Sequence, residues 1–397
     1  MKRFACLPLF ALVASCPAGR GAALSRLATP AAVAFVDVAV VDAAAGSVRP
    51  GQTVVVRGDR IESVGTAPAP PDALAIAGTG KFLVPGLIDM HVHVREKDLA
   101  AYVEAGVTSV RHMWGFPGLL ELADRVVRDQ ELGPAIHAAS PGVDGPGSPW
   151  PYTELIQDPA AADALIDRLA GEGWRWIKVY PHLEANVYAA VLAAAQREGI
   201  RVIGHVPFSV QIEDAMRDGH YSVEHLVGYE RSLVPQSSGF YPDWAAADPE
   251  SMRALAGLTA SLGAWNCPTL TIIGIYAGRM ANGALVVENR RRMVRALRDA
   301  GARLLAGTDA GIDVTQPGSS LHDELAELVG AGLTTAEALR AATTTAAEFL
   351  QREGEIGAIA EGARADLLLV DADPLLDLSA LRSPPTLMLR GALYERR

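Results

Sequence analysis

The hydrophobic pattern of the chain changes period between its ends and its middle. Residues 33–41 and 53–56 are Val-rich runs, and β-branched residues suit a pleated strand. The turn Arg57-Gly58-Asp59-Arg60 leads from the second run into Ile61-Glu62-Ser63-Val64, which predicts a hairpin. Residues 365–370 and 386–394 give further strand patterns, the latter turning at Gly391. Between these ends, short apolar runs alternate with Ala- and Leu-rich amphipathic stretches such as 185–198 and 251–262, the signature of repeated βα units and parallel strands. Eight runs can be counted, at 87–94, 107–112, 135–139, 175–180, 201–206, 221–226, 264–272 and 302–308. The expected class is α/β: a (β/α)8 TIM-type barrel over 85–354 with a small β-sandwich companion built from both termini, 33–84 and 355–397. Neither terminal piece has enough apolar surface to fold alone. The aperiodic stretch 226–249 follows the sixth run and reads as a lid or substrate wall.

Composition narrows the partners. Half of the 397 residues are hydrophobic and 20% are charged, with a formal net charge of −11. The longest basic run is Arg290-Arg291-Arg292, so the electrostatic footprint of a nucleic-acid binder is missing. Met1-Lys2-Arg3 followed by an apolar stretch to Ala14 reads as an export signal within 1–22, too short to span a bilayer. Val13-Ala14-Ser15-Cys16 also fits a lipobox, which would place a lipid anchor on Cys16, whereas cleavage nearer Ala22 would release a soluble protein. Either outcome implies an exported protein, periplasmic or anchored at the cell envelope. Of the three cysteines only Cys267 lies in the body of the chain, so an intramolecular disulfide is not expected and Cys267 reads as a packed thiol.

The chemistry lies where the apolar runs end. Leu87-Ile88-Asp89-Met90-His91-Val92-His93 closes the first run with two histidines that a period of two points to one side. The fourth run ends near Lys178, the fifth at His205, the sixth at His225 and the eighth at Asp309. Singly, Lys178 could snorkel from a surface strand, His205 and His225 could be hydrogen-bonded core residues, and Asp309 could cap a helix. Together they put six N/O donors at the C-terminal strand ends, where barrel enzymes assemble their sites.

The sequence here resembles the amidohydrolase superfamily, in particular binuclear members related to imidazolonepropionase and metal-dependent Xaa-Pro dipeptidase. The resemblance rests on Pro85-Gly86-Leu87-Ile88-Asp89-Met90-His91-Val92-His93, Ile177-Lys178-Val179-Tyr180, Gly204-His205-Val206, Glu224-His225-Leu226, Gly307-Thr308-Asp309-Ala310-Gly311 and the tail Gly362-Ala363-Arg364-Ala365-Asp366-Leu367. It implies two divalent metal ions, zinc by default. His91, His93 and Asp309 would hold the more buried ion and His205 and His225 the more exposed one. Lys178 would bridge both as a carbamate, because an amine has too few lone pairs to do so.

Two metals sharing a water would acidify it and polarise the carbonyl that it attacks. Asp309 is the candidate to accept and return the proton, and Tyr180, in parity with Lys178, could donate to the oxyanion. His112, His137 and His322 are candidate substrate-binding residues, and Arg111, Arg231 and His137 candidate partners for a substrate carboxylate. Arg111-His112-Met113 and the segment Pro141-Gly142-Val143-Asp144-Gly145-Pro146-Gly147 depart from the peptidase-like pattern, which weakens a dipeptide reading. The expected activity is hydrolysis of an amide or other C–N bond in a small molecule: a dipeptide, an N-acyl amino acid or a cyclic amide. Hydrolysis of esters, lactones or phosphotriesters on the same centre, and metal binding without turnover, are the alternatives.

Overall fold

The computed structural model describes residues 24–27, 30–234, 237, 241–312 and 314–396. The expected export segment and Cys16 lie outside them. Among the described residues no helix is long and apolar enough to cross a membrane.

The middle of the chain forms parallel strands separated by helices, a mixed α/β arrangement. The strands are β1 (Leu87–Val92), β2 (Val107–His112), β3 (Ala135–Ala138), β4 (Trp176–Val179), β5 (Arg201–Gly204), β6 (His220–Glu224), β7 (Trp265–Cys267) and β8 (Arg303–Leu304). They belong to two sheets, β1-β2-β3 and β4 to β8 in sequence order. Hydrogen bonds join the sheets at both margins. Ser140 N donates to Trp176 O at 2.9 Å, beyond β3, and Met90 N donates to Ala306 O at 2.9 Å, beyond β8. A bridge between Val92 and Ala310 continues the second junction.

Two apolar layers hold this arrangement. Ile88, Met90, Met113, Trp176, Ile203, Trp265 and Cys267 fill one buried cluster with Phe349; Cys267 is the packed thiol expected. Outside, helix Ala185–Arg197 buries Val187, Tyr188, Val191, Leu192 and Ala195, a spacing of three and four that turns one stripe toward the strands. Fully burying each such side chain contributes about 1.5–3 kcal/mol.

The seventh and eighth runs are shorter as strands than expected. After Cys267 the chain leaves β7 at Pro268, which has no N–H for a ladder, and enters helix Leu270–Ala277. The buried carboxylate of Glu324 fixes that helix start by accepting from Leu270 N at 2.9 Å and Thr271 N at 2.8 Å. The eighth run is a strand only over Arg303–Leu304, and its continuation carries Asp309 at φ 59°.

Both ends of the chain contribute to one nine-stranded sheet. Ala32–Asp42 pairs antiparallel with Ser47–Arg57, and Phe82–Pro85 pairs antiparallel with Leu367–Val370. Val33, Phe35, Leu83, Leu367, Met388 and Leu393 share its core, so neither terminal piece buries its apolar face without the other. Gly86 follows directly, and the chain enters β1 from this sheet.

Candidate metal centre

Five of the six expected donors come from the last residues of a strand or the first residues beyond it. His91 lies in β1 and His93 just after it, Lys178 in β4, His205 after β5 and His225 after β6. Asp309 comes from the longer segment after β8. All six line one cavity of about 440 Å³, together with Tyr180. His91, Lys178, His205, His225 and Asp309 are buried and His93 is partly exposed.

The distances draw the group together around Asp309. Its Oδ1 lies 2.9 Å from His93 Nε2 and 3.2 Å from His91 Nε2, and its Oδ2 lies 4.0 Å from His225 Nε2. Donor atoms of His91, His225 and Asp309 lie within 4.8 Å of one another. The rings of His205 and His225 stand edge to face at 5.0 Å. Burial lowers the pKa of His93, His205 and His225, which leaves neutral imidazoles with free lone pairs, and lowers Lys178 to about 8.

The tautomer of His91 is fixed from below. Its Nδ1 lies 2.7 Å from Glu224 Oε2, so Nδ1–H donates and the Nε2 lone pair faces Asp309. Glu224 in turn accepts from Arg111 Nη2 at 2.8 and 2.9 Å and from Ser222 Oγ at 2.6 Å. Burial alone would push the Glu224 carboxyl up, but the Arg111 guanidinium and His91 hold it well below the ordinary carboxylate range. Glu224 also lies close to Cys267 and His91, but its oxygens are already engaged by His91, Arg111 and Ser222. Sequence reasoning missed this Glu224–Arg111 support, although Glu224 precedes His225 directly.

His91 Nε2 and Asp309 Oδ1 are buried and have no hydrogen-bond partner. Two lone-pair-bearing atoms 3.2 Å apart, shielded from water, repel one another unless a cation or proton sits between or beside them. The donor set therefore fits a divalent cation.

The backbone is bent to bring these groups together. His225, Leu226, Thr269 and Asp309 all have positive φ, between 48° and 59°, a region costly for residues other than glycine and held here by the packing around it. Thr269 Oγ1 lies 2.6 Å from His225 Nδ1 and orients that ring; Arg290 donates to the His225 carbonyl. Two motif glycines are required by close approach. At Gly204, φ +128°, a Cβ would meet Val179 O at 2.3 Å and Lys178 Cδ at 3.0 Å, and at Gly311 it would meet His93 O at 1.8 Å.

Tyr180 lies on the cavity wall, stacked on the His205 ring at 4.3 Å. Its oxygen accepts from Trp150 Nε1 at 2.8 Å, and burial raises its pKa. The other expected substrate contacts are corrected. His112 sits behind His93 with both nitrogens engaged: Nδ1 accepts from Val94 N at 2.9 Å, and Nε2 donates to Trp114 O at 2.6 Å. His322 bonds the Ala105 carbonyl at 2.9 Å. His137 does not line the cavity; burial, and after it the charges of Arg364, Arg352 and Arg175, lower its pKa to about 3. Arg111 is fully buried on Glu224, and Arg231 donates to the carbonyls of Pro207 and Val210. The wall consists instead of Trp114, Trp150, Pro151, Tyr180, Tyr241, Tyr276 and Ile312. Tyr241 comes from the stretch 226–249, whose second half is a turn of 3-10 helix, Tyr241–Ala246, anchored by Asn289 Nδ2 donating to Trp244 O at 2.8 Å.

Residues 82–392 match the Amidohydrolase family. Imidazolonepropionase of Micrococcus luteus is 26% identical over 391 residues, covering 84% of this chain and 91% of the relative. Among solved structures, the bottromycin amidohydrolase superposes with a TM-score of 0.75 at 28% identity, covering 92% of this chain and 87% of that one. A putative prolidase from Bifidobacterium longum gives a TM-score of 0.75 at 25% identity, with 92% and 95% covered. The chain belongs to the amidohydrolase family and is a hydrolase of that superfamily, acting on C–N bonds.

Proposed function

We propose that the protein hydrolyses an amide or related C–N bond of a small molecule, using two divalent cations, zinc by default, at the strand ends of a (β/α)8 barrel with a β-sandwich companion. The observation that carries this is the convergence of His91 Nε2 and His93 Nε2 on Asp309 Oδ1, at 3.2 and 2.9 Å, on the floor of the cavity. His91, His93 and Asp309 would hold the deeper cation and His205 and His225 the other, with Lys178 serving both as a carbamate. When bound, the cations would lower the pKa of a water and polarise the scissile carbonyl.

The residues of the chain supply the remaining steps. Asp309 takes the proton of the attacking water on a carboxylate oxygen and returns it to the leaving nitrogen. Glu224 holds the His91 proton on Nδ1, the tautomer in which Nε2 presents its lone pair to the cation. Tyr180 has its oxygen engaged by Trp150 N–H, which turns its own O–H outward as a donor to the developing oxyanion.

Metal analysis of the purified protein, followed by assays on amides, dipeptides, lactones and esters before and after chelation, tests this. Bound metal near two equivalents, amide turnover lost on chelation and regained on zinc addition are expected, and Lys178→Ala should hold less metal. A wild-type protein that binds no divalent cation overturns the proposal. Turnover of lactones or esters with none of amides would move the reading to the second activity.

A further inference from the structure

Resting on that reading, we propose that the substrate is a neutral amide bearing an aromatic group, and that the site discriminates against a free carboxylate on it. Five aromatic rings form the wall above the donor cluster, and they come from opposite sides of the strand order. Trp114, Trp150 and Tyr180 follow β2, β3 and β4, whereas Tyr241 and Tyr276 follow β6 and β7. The first three pack edge to face, with Trp114 5.1 Å from Tyr180 at 78° and 6.5 Å from Trp150 at 63°. Tyr241 and Tyr276 lie nearly parallel, 13° apart. A flat group seated between these two sets would meet ring faces and edges on both sides, the geometry in which aromatic contacts are favourable.

The wall lacks what a carboxylate needs. Recognition of a carboxylate relies on arginine forks, lysines or clustered N–H donors, and among the described residues lining the cavity the one cationic side chain is Lys178, on the floor. None of the neighbouring arginines lines the cavity: Arg111 is buried on Glu224, Arg231 donates to two carbonyls, and Arg290 is buried behind Tyr241 and Trp244, 5.3 and 4.7 Å from their ring centres, and donates to the His225 carbonyl. The sequence at 235–240 and at 313 contains no Lys or Arg. A carboxylate placed among these rings, away from the floor, would lose its hydration with no cationic side chain of the wall in return. Dipeptides and N-acyl amino acids both carry that group; anilides and aromatic cyclic amides do not.

Matched pairs separate the two. Acetanilide and benzanilide should bind the zinc-loaded enzyme at least tenfold more tightly than their 4-carboxy derivatives, measured by calorimetry, and should be the better substrates by kcat/KM. Ile312→Arg, which adds a cation to the wall, should narrow the binding ratio by about tenfold. Equal or tighter binding of the carboxylated members, or no binding of either neutral anilide, overturns this proposal. Carboxylated amides turned over by a zinc-replete enzyme would overturn it while leaving the hydrolase reading intact, and absence of bound metal would overturn that reading instead.

Discussion

The floor and the wall of the cavity are built on opposite principles. The floor is polar, nearly dry and carried by strand ends: His91, Lys178, His205, His225 and Asp309 are buried, and His91 is held from below by Glu224 and Arg111. The wall is aromatic, comes from the connecting segments, and includes a half-exposed ring, Trp150 at 45%. The floor can fix a geometry because neighbouring strands define it to a fraction of an ångström, whereas the wall can be exchanged without disturbing the strands. Changes to the floor should therefore remove reaction or fold, and changes to the wall should grade selectivity or rate.

The largest effect is expected at Asp309. Asp309→Asn keeps the size of the side chain but cannot accept the proton, and kcat should fall by roughly 10²–10⁴. Thermal unfolding of the cation-loaded variant should stay close to that of the parent. A variant retaining a tenth of the parent kcat would remove Asp309 from the proton-transfer role.

Beneath the floor, Glu224→Ala leaves Arg111 buried with no counter-charge, and Arg111 has no exposed surface from which to recover hydration. Breaking a buried pair from one side costs about 3–5 kcal/mol, to be read from urea unfolding. Activity should fall too, because His91 loses the acceptor that fixes its tautomer. A variant as stable as the parent would show that the Arg111 charge is satisfied in some other way.

The same contrast explains what could be read from the chain alone. Strand ends carry a two-residue period and a side fixed by parity, so His91, His93, Lys178, His205, His225 and Asp309 were legible together and do line one cavity. The paired terminal strands were legible for the same reason. The other histidines were misread, because sequence gives their position but not their partners: His112, although it closes β2, and His322 are engaged by backbone groups. The wall was largely invisible. Trp114 and Trp150 lie in connections and Tyr276 in a helix that begins inside the run expected as the seventh strand, and their convergence depends on how the chain turns after Cys267 and around Gly142.

Histidines away from the floor make a pH prediction of smaller size. His220 is buried, with Nδ1 2.9 Å from Tyr188 Oη and Nε2 donating to Ser222 O at 3.0 Å, and burial lowers its pKa from 6.5 to about 4. The folded state resists the proton that the unfolded state takes up, so its contribution is complete above about pH 6.5 and is lost as pH falls toward 4. Between pH 7 and pH 5 this amounts to about 2 kcal/mol. His220→Gln should flatten the acid side of the stability profile by that amount; an unchanged slope would assign the acid sensitivity to other groups.

The smallest effect expected is also the one that tests whether the wall does more than pack. Trp150→Phe keeps an aromatic ring at the rim but deletes the N–H that donates to Tyr180 Oη at 2.8 Å. A partly exposed hydrogen bond of this kind contributes about 0.5–1.5 kcal/mol, so kcat should drop by up to about tenfold with KM little changed, since the ring that touches the substrate remains. The pairing makes a further demand: if Trp150 acts by directing the Tyr180 hydroxyl, then in a Tyr180→Phe background Trp150→Phe should cost almost nothing more. Costs that simply add, or a rise confined to KM, would reduce Trp150 to a packing surface. The boundary between floor and wall would then fall at Tyr180 rather than at the indole above it.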